Sequence, residues 1–184
     1  VFSDTDKWTT QLWSVLQTRD GSVWLGHSNG LVRLTPKKGS TKHWFSSEKV
    51  GGVLPGAVRL LIQANDGLLW SASYGGGIQA HNERGRLVHK IAPRDGQGLS
   101  SADPDQFALH PNGDLWVATA EGLLRWDDDT EKFVAIEGSP KERVDAFCFL
   151  SADTVWVHRV GVLEAFRWDG KKLVSIRRIT GDSG

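Results

Sequence analysis

Asp20-Gly21-Ser22-Val23-Trp24-Leu25-Gly26 is the first copy of a pattern that returns three times along the chain. Each copy places a tryptophan just after a turn, and the turns are rich in Asp, Asn and Gly, which tolerate tight hairpin geometry. The intervals between the tryptophans are 46, 46 and 40 residues. A period in this range is typical of an array of repeated supersecondary units. The four tryptophans are Trp24, Trp70, Trp116 and Trp156.

Each repeat has the same internal order of parts. In the second copy an apolar stretch at 58–62 and a turn at 65–67 precede Trp70, and further glycine turns lead to the stretches 78–81 and 87–91. This order predicts four short strands joined by tight turns, and no stretch has a sustained helical period. Four-stranded units repeated at about 40–45 residues are typical of β-propeller blades. A β-sandwich is the all-β alternative, but it does not predict a tryptophan returning to one slot.

The sequence therefore predicts an all-β fold, a β-propeller with four four-stranded blades. We expect residues 1–184 to form a single partial propeller domain, with blades at about 11–46, 56–92, 104–137 and 143–179. The recurring tryptophans are expected to be structural, with each indole packed between neighbouring blades. A buried tryptophan removes roughly 200 Å² from water, which stabilises the fold by several kcal/mol.

Composition excludes several classes of function. The chain has 184 residues, and 22 Lys and Arg balance 22 Asp and Glu. A nucleic-acid binder or a polybasic membrane patch needs an excess of positive charge, so neither is expected. Cys148, the only cysteine, lies in an apolar run and is predicted to be a buried small hydrophobe. The sequence starts at Val1 without a signal-peptide pattern, and we expect it to be a piece of a longer protein.

Two copies carry a longer shared motif. Copy one runs from Asp20-Gly21 through Trp24 to Gly30-Leu31-Val32-Arg33, and copy three from Asn112-Gly113 through Trp116 to Gly122-Leu123-Leu124-Arg125. A glycine- and proline-containing lead precedes the inner strand of the second repeat; it is Gly52-Val53-Leu54-Pro55-Gly56-Ala57-Val58. Copy two keeps the turn and the tryptophan but ends differently, and copy four lacks the hairpin glycine. These motifs resemble the two-component regulator propeller repeat.

This resemblance implies a non-enzymatic sensor. It implies the periplasmic, ligand-sensing part of a bacterial inner-membrane receptor, in which seven-bladed propellers precede an immunoglobulin-like domain, a transmembrane helix and a kinase or diguanylate cyclase. Four repeats would then be part of a larger propeller, with a closed four-bladed ring as the alternative. The implied partner is an unidentified small-molecule or glycan ligand. We also expect self-association or association with the remaining blades, and contact with the membrane only through absent parts of the receptor.

A ligand site is predicted on one face of the propeller. There the turns between second and third strands would meet the links between blades, and the aligned inner-strand positions carry one aromatic and three charged residues. Charged groups around a channel can bind a polar ligand. The alternative is that Arg59 pairs with Asp105 or Asp145, or faces water. The candidate ligand-binding residues are Trp13, His27, Arg59, Tyr74, Asp105, Glu121, Asp145, His158 and Arg159.

No catalytic, metal-binding or cofactor-binding pattern is found in the sequence. No two of the six histidines stand at metal-ligand spacing, and the run 127–130 lacks the alternation of a calcium loop. We therefore predict no catalytic residues, no metal and no cofactor. The alternative function is an enzyme similar to streptogramin lyase, with a metal-assisted axial site to which His27, Glu121 and His158 could contribute.

Overall fold

A computed structural model describes residues 11–28, 30–35, 40–45, 56–93, 95–99 and 103–181, with the backbone alone for 35 and 40–45. The described residues form sixteen β-strands and no helix. Accordingly, they include no helix long and apolar enough to cross a bilayer. The chain divides into two compact units, Val1–Ala92 and Pro93–Gly184.

The first unit contains two antiparallel sheets with the strand orders β1-β2-β3-β4 and β5-β6-β7-β8. Because each strand pairs with the next one in the sequence, both sheets are simple meanders. Their strands are β1 (Leu12–Gln17), β2 (Val23–His27), β3 (Gly30–Thr35), β4 (Ser40–Phe45), β5 (Val58–Gln63), β6 (Leu69–Ser73), β7 (Gly77–His81) and β8 (Leu87–Ile91).

The second unit repeats this arrangement with two more four-stranded meanders, ordered β9 to β12 and β13 to β16. All neighbouring strands are antiparallel. The prediction of an all-β fold built from four-stranded units is confirmed. The strands are β9 (Gln106–Leu109), β10 (Leu115–Thr119), β11 (Gly122–Asp127), β12 (Lys132–Ala135), β13 (Ala146–Ser151), β14 (Thr154–Arg159), β15 (Val162–Trp168) and β16 (Leu173–Thr180).

In the first unit, Trp24 of β2 packs in a core that joins the two sheets. Its side chain is 1% exposed and clusters with Val58 of β5 and Leu69 of β6. Packing requires the glycine two residues after Trp24, because a Cβ on Gly26 would lie 2.4 Å from the carbonyl oxygen of Val58. The predicted packing of the recurring indole between neighbouring sheets is confirmed here.

In the second unit, Trp116 of β10 has the same role. It is 0% exposed and its ring meets Trp168 of β15 edge to face, with centroids 5.0 Å apart and planes at 82°. The ring of His110 stacks on the indole of Trp116, with centroids 5.6 Å apart. Edge-to-face pairs stabilise by more than their buried area alone. The indole of Trp116 therefore joins β9–β12 to β13–β16 as Trp24 joins the sheets of the first unit.

The fourth repeat departs from this pattern on one face. Strand β14 alternates, so that Val155 and Val157 are buried in the core while Trp156 between them is only half-buried. Cys148 lies opposite Trp156 in the register of β13 and β14 and is exposed. The prediction that Cys148 is buried is wrong, because its neighbours Phe147 and Phe149 take the core-facing positions of β13.

Candidate functional site

Three of the predicted site residues meet in the first unit. The guanidinium carbon of Arg59 lies over the ring of Trp13 and over the ring of Tyr74, 4.6 Å from each ring centroid. These distances are within the range of cation–π attraction. Trp13 is on β1, Arg59 on β5 and Tyr74 in the turn between β6 and β7. We call this group the aromatic–arginine stack.

Two β-bulges place the strand residues of the stack. The register of β1 against β2 shifts between Leu12 and Ser14, and the register of β5 against β6 shifts between Val58 and Leu60. Trp13 and Arg59 are therefore the residues at the two irregular positions. A bulge bends the strand and re-aims a side chain, and bulges are over-represented beside functional sites.

Backbone contacts fix Tyr74. Its amide donates to the carbonyl of Ala57 at 2.8 Å. Gly56, with a φ of +99°, approaches so closely that a Cβ there would lie 1.9 Å from the Tyr74 carbonyl oxygen. Only glycine combines this backbone conformation with this approach. The chain entering the second repeat is thus built against the residue that supplies the second ring.

The stack is open to solvent. Trp13 is 45% exposed and Tyr74 is 56% exposed. The indole Nε1 of Trp13 donates to Ser28 Oγ at 3.4 Å, which limits the rotation of the ring. Among the described residues, Arg59 has no carboxylate within ion-pair distance. The group therefore presents an uncompensated positive charge beside two accessible ring surfaces.

Three other predicted residues meet in the second unit, around an arginine that sequence reasoning missed. Arg143 forms ion pairs with Asp105 and, from Nε at 3.2 Å, with Asp145. His158 Nδ1 lies 3.6 Å from Asp145 Oδ2. Burial raises the pKa of the Asp105 carboxyl, although the charge and hydrogen bond of Arg143 act in the opposite direction. Here both carboxylates already have a cation.

Asp105 and Asp145, the carboxylates named as alternative partners of Arg59, both pair with Arg143 within the second unit. Arg143 lies between strands, two residues before Asp145, where no repeat position marks it out. A charged residue in an irregular link has no periodic signal, so the sequence offered no means of finding it.

The remaining candidates are His27, Arg159 and Glu121. His27 is 4% exposed within β2, and Arg159 is 8% exposed and bridges Glu142 and Glu164. The positive charge of Arg159 is thus already neutralised. Glu121 is exposed in the turn between β10 and β11, where its amide donates to Thr119 Oγ1 at 3.2 Å. The described residues contain no cluster of three or more His, Cys, Asp and Glu side chains arranged to hold a metal ion.

A groove of about 400 Å³ lies at the opposite end of β5 from the stack, between the β5–β6 and β7–β8 turns. Turn residues line it, including Asp66 and Arg84. Asp66 Oδ1 accepts a hydrogen bond from the amide of Leu68 at 2.8 Å, as expected for a residue that shapes its own turn. This polar groove contains none of the predicted site residues.

No protein-family model matches the chain, and no curated protein sequence matches it. Among solved structures it is similar to the extracellular domain of the hybrid two-component system BT3049 from B. thetaiotaomicron, with 19% identity and a TM-score of 0.71 over 90% of this chain and 24% of that one. It is also similar to the extracellular domain of the one-component system BT4673 from the same organism, with 15% identity and a TM-score of 0.53 over 91% and 30% of the two chains.

A third similar structure is virginiamycin B lyase from Staphylococcus aureus, with 15% identity and a TM-score of 0.63 over 90% of this chain and 55% of that one. The chain therefore spans between a quarter and just over half of the proteins it matches. At these identities the likeness shows the fold alone. Together with the four antiparallel meanders, it confirms the predicted β-propeller fragment.

Proposed function

We propose that this chain is a non-enzymatic, ligand-sensing part of a bacterial signal-transduction receptor, located on the periplasmic side of the inner membrane. The observation that carries the proposal is the solvent-open stack of Trp13, Arg59 and Tyr74, set by two bulges on a propeller fold. Propeller scaffolds place recognition residues in turns and links. The chain is similar to the extracellular domains of two signalling systems, and this similarity supports the receptor role.

We further propose that residues 1–184 form one partial propeller domain with blades at about 11–46, 56–92, 104–137 and 143–179. In each unit the first sheet's tryptophan is covered by the second sheet. The corresponding Trp156 is half-buried on a face that also carries exposed Cys148. A further blade of the same repeat is the partner that this face fits, because the following sheet covers Trp24 and Trp116 in that way.

Two measurements test the sensor proposal. The full reading frame should encode a signal peptide, further repeats and a downstream membrane span with a kinase or cyclase. In addition, a panel of sugars, amino acids and organic acids should include a compound that raises the melting temperature of the chain. A reading frame for a soluble enzyme, or a panel without any stabilising compound, would contradict the proposal.

The second candidate function is a metal-assisted lyase, which the similarity to virginiamycin B lyase favours. Of the three residues that could serve it, His27 is buried and His158 is beside Asp145. Calorimetric titration with Mg²⁺ separates the two functions. A saturable heat of Mg²⁺ binding that disappears in His158→Ala would support the lyase. The absence of a saturable heat would support the sensor.

A further inference from the structure

We propose that the aromatic–arginine stack binds a carboxylate group that is attached to a flat, apolar surface. This inference rests on the proposed sensing function and names the ligand chemistry of its site. The described residues contribute a guanidinium, two aromatic rings and the hydroxyl of Ser28 to the group. The guanidinium matches the carboxylate of such a ligand, the two rings match its apolar surface, and Ser28 holds the indole of Trp13 in place.

The charge of Arg59 distinguishes it from a comparable arginine in the same unit. Arg33 lies over the ring of Trp24 at 5.4 Å, but its guanidinium is also paired with Asp20 at 2.6 Å. Arg33 is therefore a neutralised structural arginine. Arg59 contacts two rings instead of one and has no carboxylate partner among the described residues. An anion from outside the chain would complete at Arg59 the arrangement that Asp20 completes at Arg33.

The geometry of Arg59 fits the planar, two-oxygen end of a carboxylate. Both rings contact the planar group, so the free hydrogen-bonding capacity of Arg59 lies along its N–H edge. That edge is a rigid fork of donors, which fits the two oxygens of a carboxylate in a bidentate pair. A lysine at this position would supply the charge without the fork.

The exposed rings select what is attached to the carboxylate. Trp13 and Tyr74 together present apolar surface beside the fork, at 45% and 56% exposure. Aromatic faces pack favourably against other aromatic rings and against the apolar faces of cyclic ligands. The ligand class is therefore an organic acid with a flat ring next to its carboxylate, either an aromatic acid or a cyclic sugar acid.

The residue types at the aligned positions distinguish the stack from the second unit. Trp13 and Arg59 lie at the irregular positions of β1 and β5. The aligned residues Asp105 and Asp145 lie just before β9 and β13, where their amides donate to the carbonyls of Ala118 and His158. The first unit thus has an indole and a guanidinium where the second unit has two carboxylates.

The test is a titration of the 184-residue chain followed through the indole N–H signal of Trp13 by NMR, assigned with Trp13→Phe. One arm compares benzoate with benzyl alcohol, and the other compares glucuronate with glucose. We expect at least one acid to bind at least tenfold more tightly than its neutral partner. Benzoate alone, glucuronate alone or both would support the inference and identify the source of the carboxylate.

Variants separate the fork from the charge. Arg59→Gln should weaken binding of the acid at least tenfold, and Arg59→Lys should weaken it about three- to tenfold because the charge remains. Tyr74→Leu keeps Arg59 and should lower the affinity for the acid by removing one ring. The control is Arg84→Gln, an exposed arginine at the opposite turn, which should bind the acid as the unchanged chain does.

Two outcomes would overturn the inference: acids that bind no better than their neutral partners, or folded Arg59→Gln with unchanged affinity. If neutral compounds shift the Trp13 signal as strongly as acids, ligand sensing survives and only the carboxylate assignment fails. The sensing proposal itself fails when no compound of the wider panel stabilises the chain, so the two failures are distinguishable.

Discussion

His81 occupies, in the third strand of the second repeat, the slot that Trp126 fills in the third repeat and Phe166 fills in the fourth. It is 2% exposed, and its ring centroid is 6.4 Å from that of Trp24. Its Nδ1 has no hydrogen-bond partner among the described residues. Burial lowers the pKa of the imidazole from its ordinary 6.5 to about 4. A titratable group is thus held neutral in a position that the third and fourth repeats fill with an aromatic side chain.

This burial makes stability depend on pH. Between about pH 6.5 and pH 4 the unfolded chain binds a proton at His81 that the folded chain does not, so the free energy of unfolding falls as the pH falls. We expect the loss from this residue to approach about 3 kcal/mol at pH 4. His81→Phe should remove most of this slope in denaturant titrations at pH 7 and pH 4.5. His158→Gln, at an exposed histidine, should retain the slope; equal slopes in His81→Phe and the unchanged chain would contradict the assignment.

At the scale of the strand, the recurring tryptophans differ in how far they are buried. Trp116 is fully buried between sheets, whereas Trp156 is half-buried on a sheet face. Trp116→Ala should lower the free energy of unfolding by about 3–5 kcal/mol, since a large cavity is left in the core. Trp156→Ala should cost under about 2 kcal/mol in the monomeric chain, because less apolar area returns to water. Equal losses in dilute denaturant titrations would show that the two slots are equivalent.

The sheets could be predicted from the sequence because their signal is periodic. A tryptophan in one slot, hairpin glycines and alternating apolar residues each repeat with the strands. The bulges could not be predicted, since one extra residue in a strand leaves no mark on a pattern read without its partner strand. The sequence therefore placed Trp13 and Arg59 in aligned slots but did not show that their side chains meet. Cys148 was misassigned for a related reason: an all-apolar run does not reveal which of its two faces is covered.

Gly56 tests how firmly the turn holds the stack. Gly56→Ala adds a Cβ 1.9 Å from the Tyr74 carbonyl oxygen at a φ of +99°. Strain and displacement together should lower the free energy of unfolding by more than about 2 kcal/mol and shift the Tyr74 ring signals in NMR spectra. Gly75→Ala is the matched control, since its φ is +74° and nothing lies within 4 Å of the added Cβ. Gly75→Ala should lower the free energy of unfolding by about 1–2 kcal/mol, because only the left-handed backbone conformation disfavours a side chain there. Similar effects of the two substitutions would show that the close approach is unimportant.

At the scale of the molecule, the apolar face of the last sheet matters most. The cross-strand register places Cys148 opposite Trp156, and Leu163 opposite Ile179, on the face turned away from the core of the second unit. Leu163 is 39% exposed and Ile179 is 43% exposed. The register places His158 and Arg177 on the same face. Exposed apolar side chains grouped on one sheet face mark an interaction site. A blade from a second copy of the chain is the occupant that we test for this face.

We therefore expect the isolated chain to self-associate through the face that carries Trp156. Sedimentation at increasing concentration should show a rising average mass, and Trp156→Asp should abolish the rise by placing a charge in the contact. Modification of Cys148 by a bulky thiol reagent should be fast in dilute solution and slow at high concentration, because association covers the thiol. Arg177→Asp, which also adds an acid on this sheet but lies on its outermost strand, should weaken association less than Trp156→Asp does. A chain that stays monomeric at high concentration, with Cys148 equally reactive throughout, would contradict this assignment of the face.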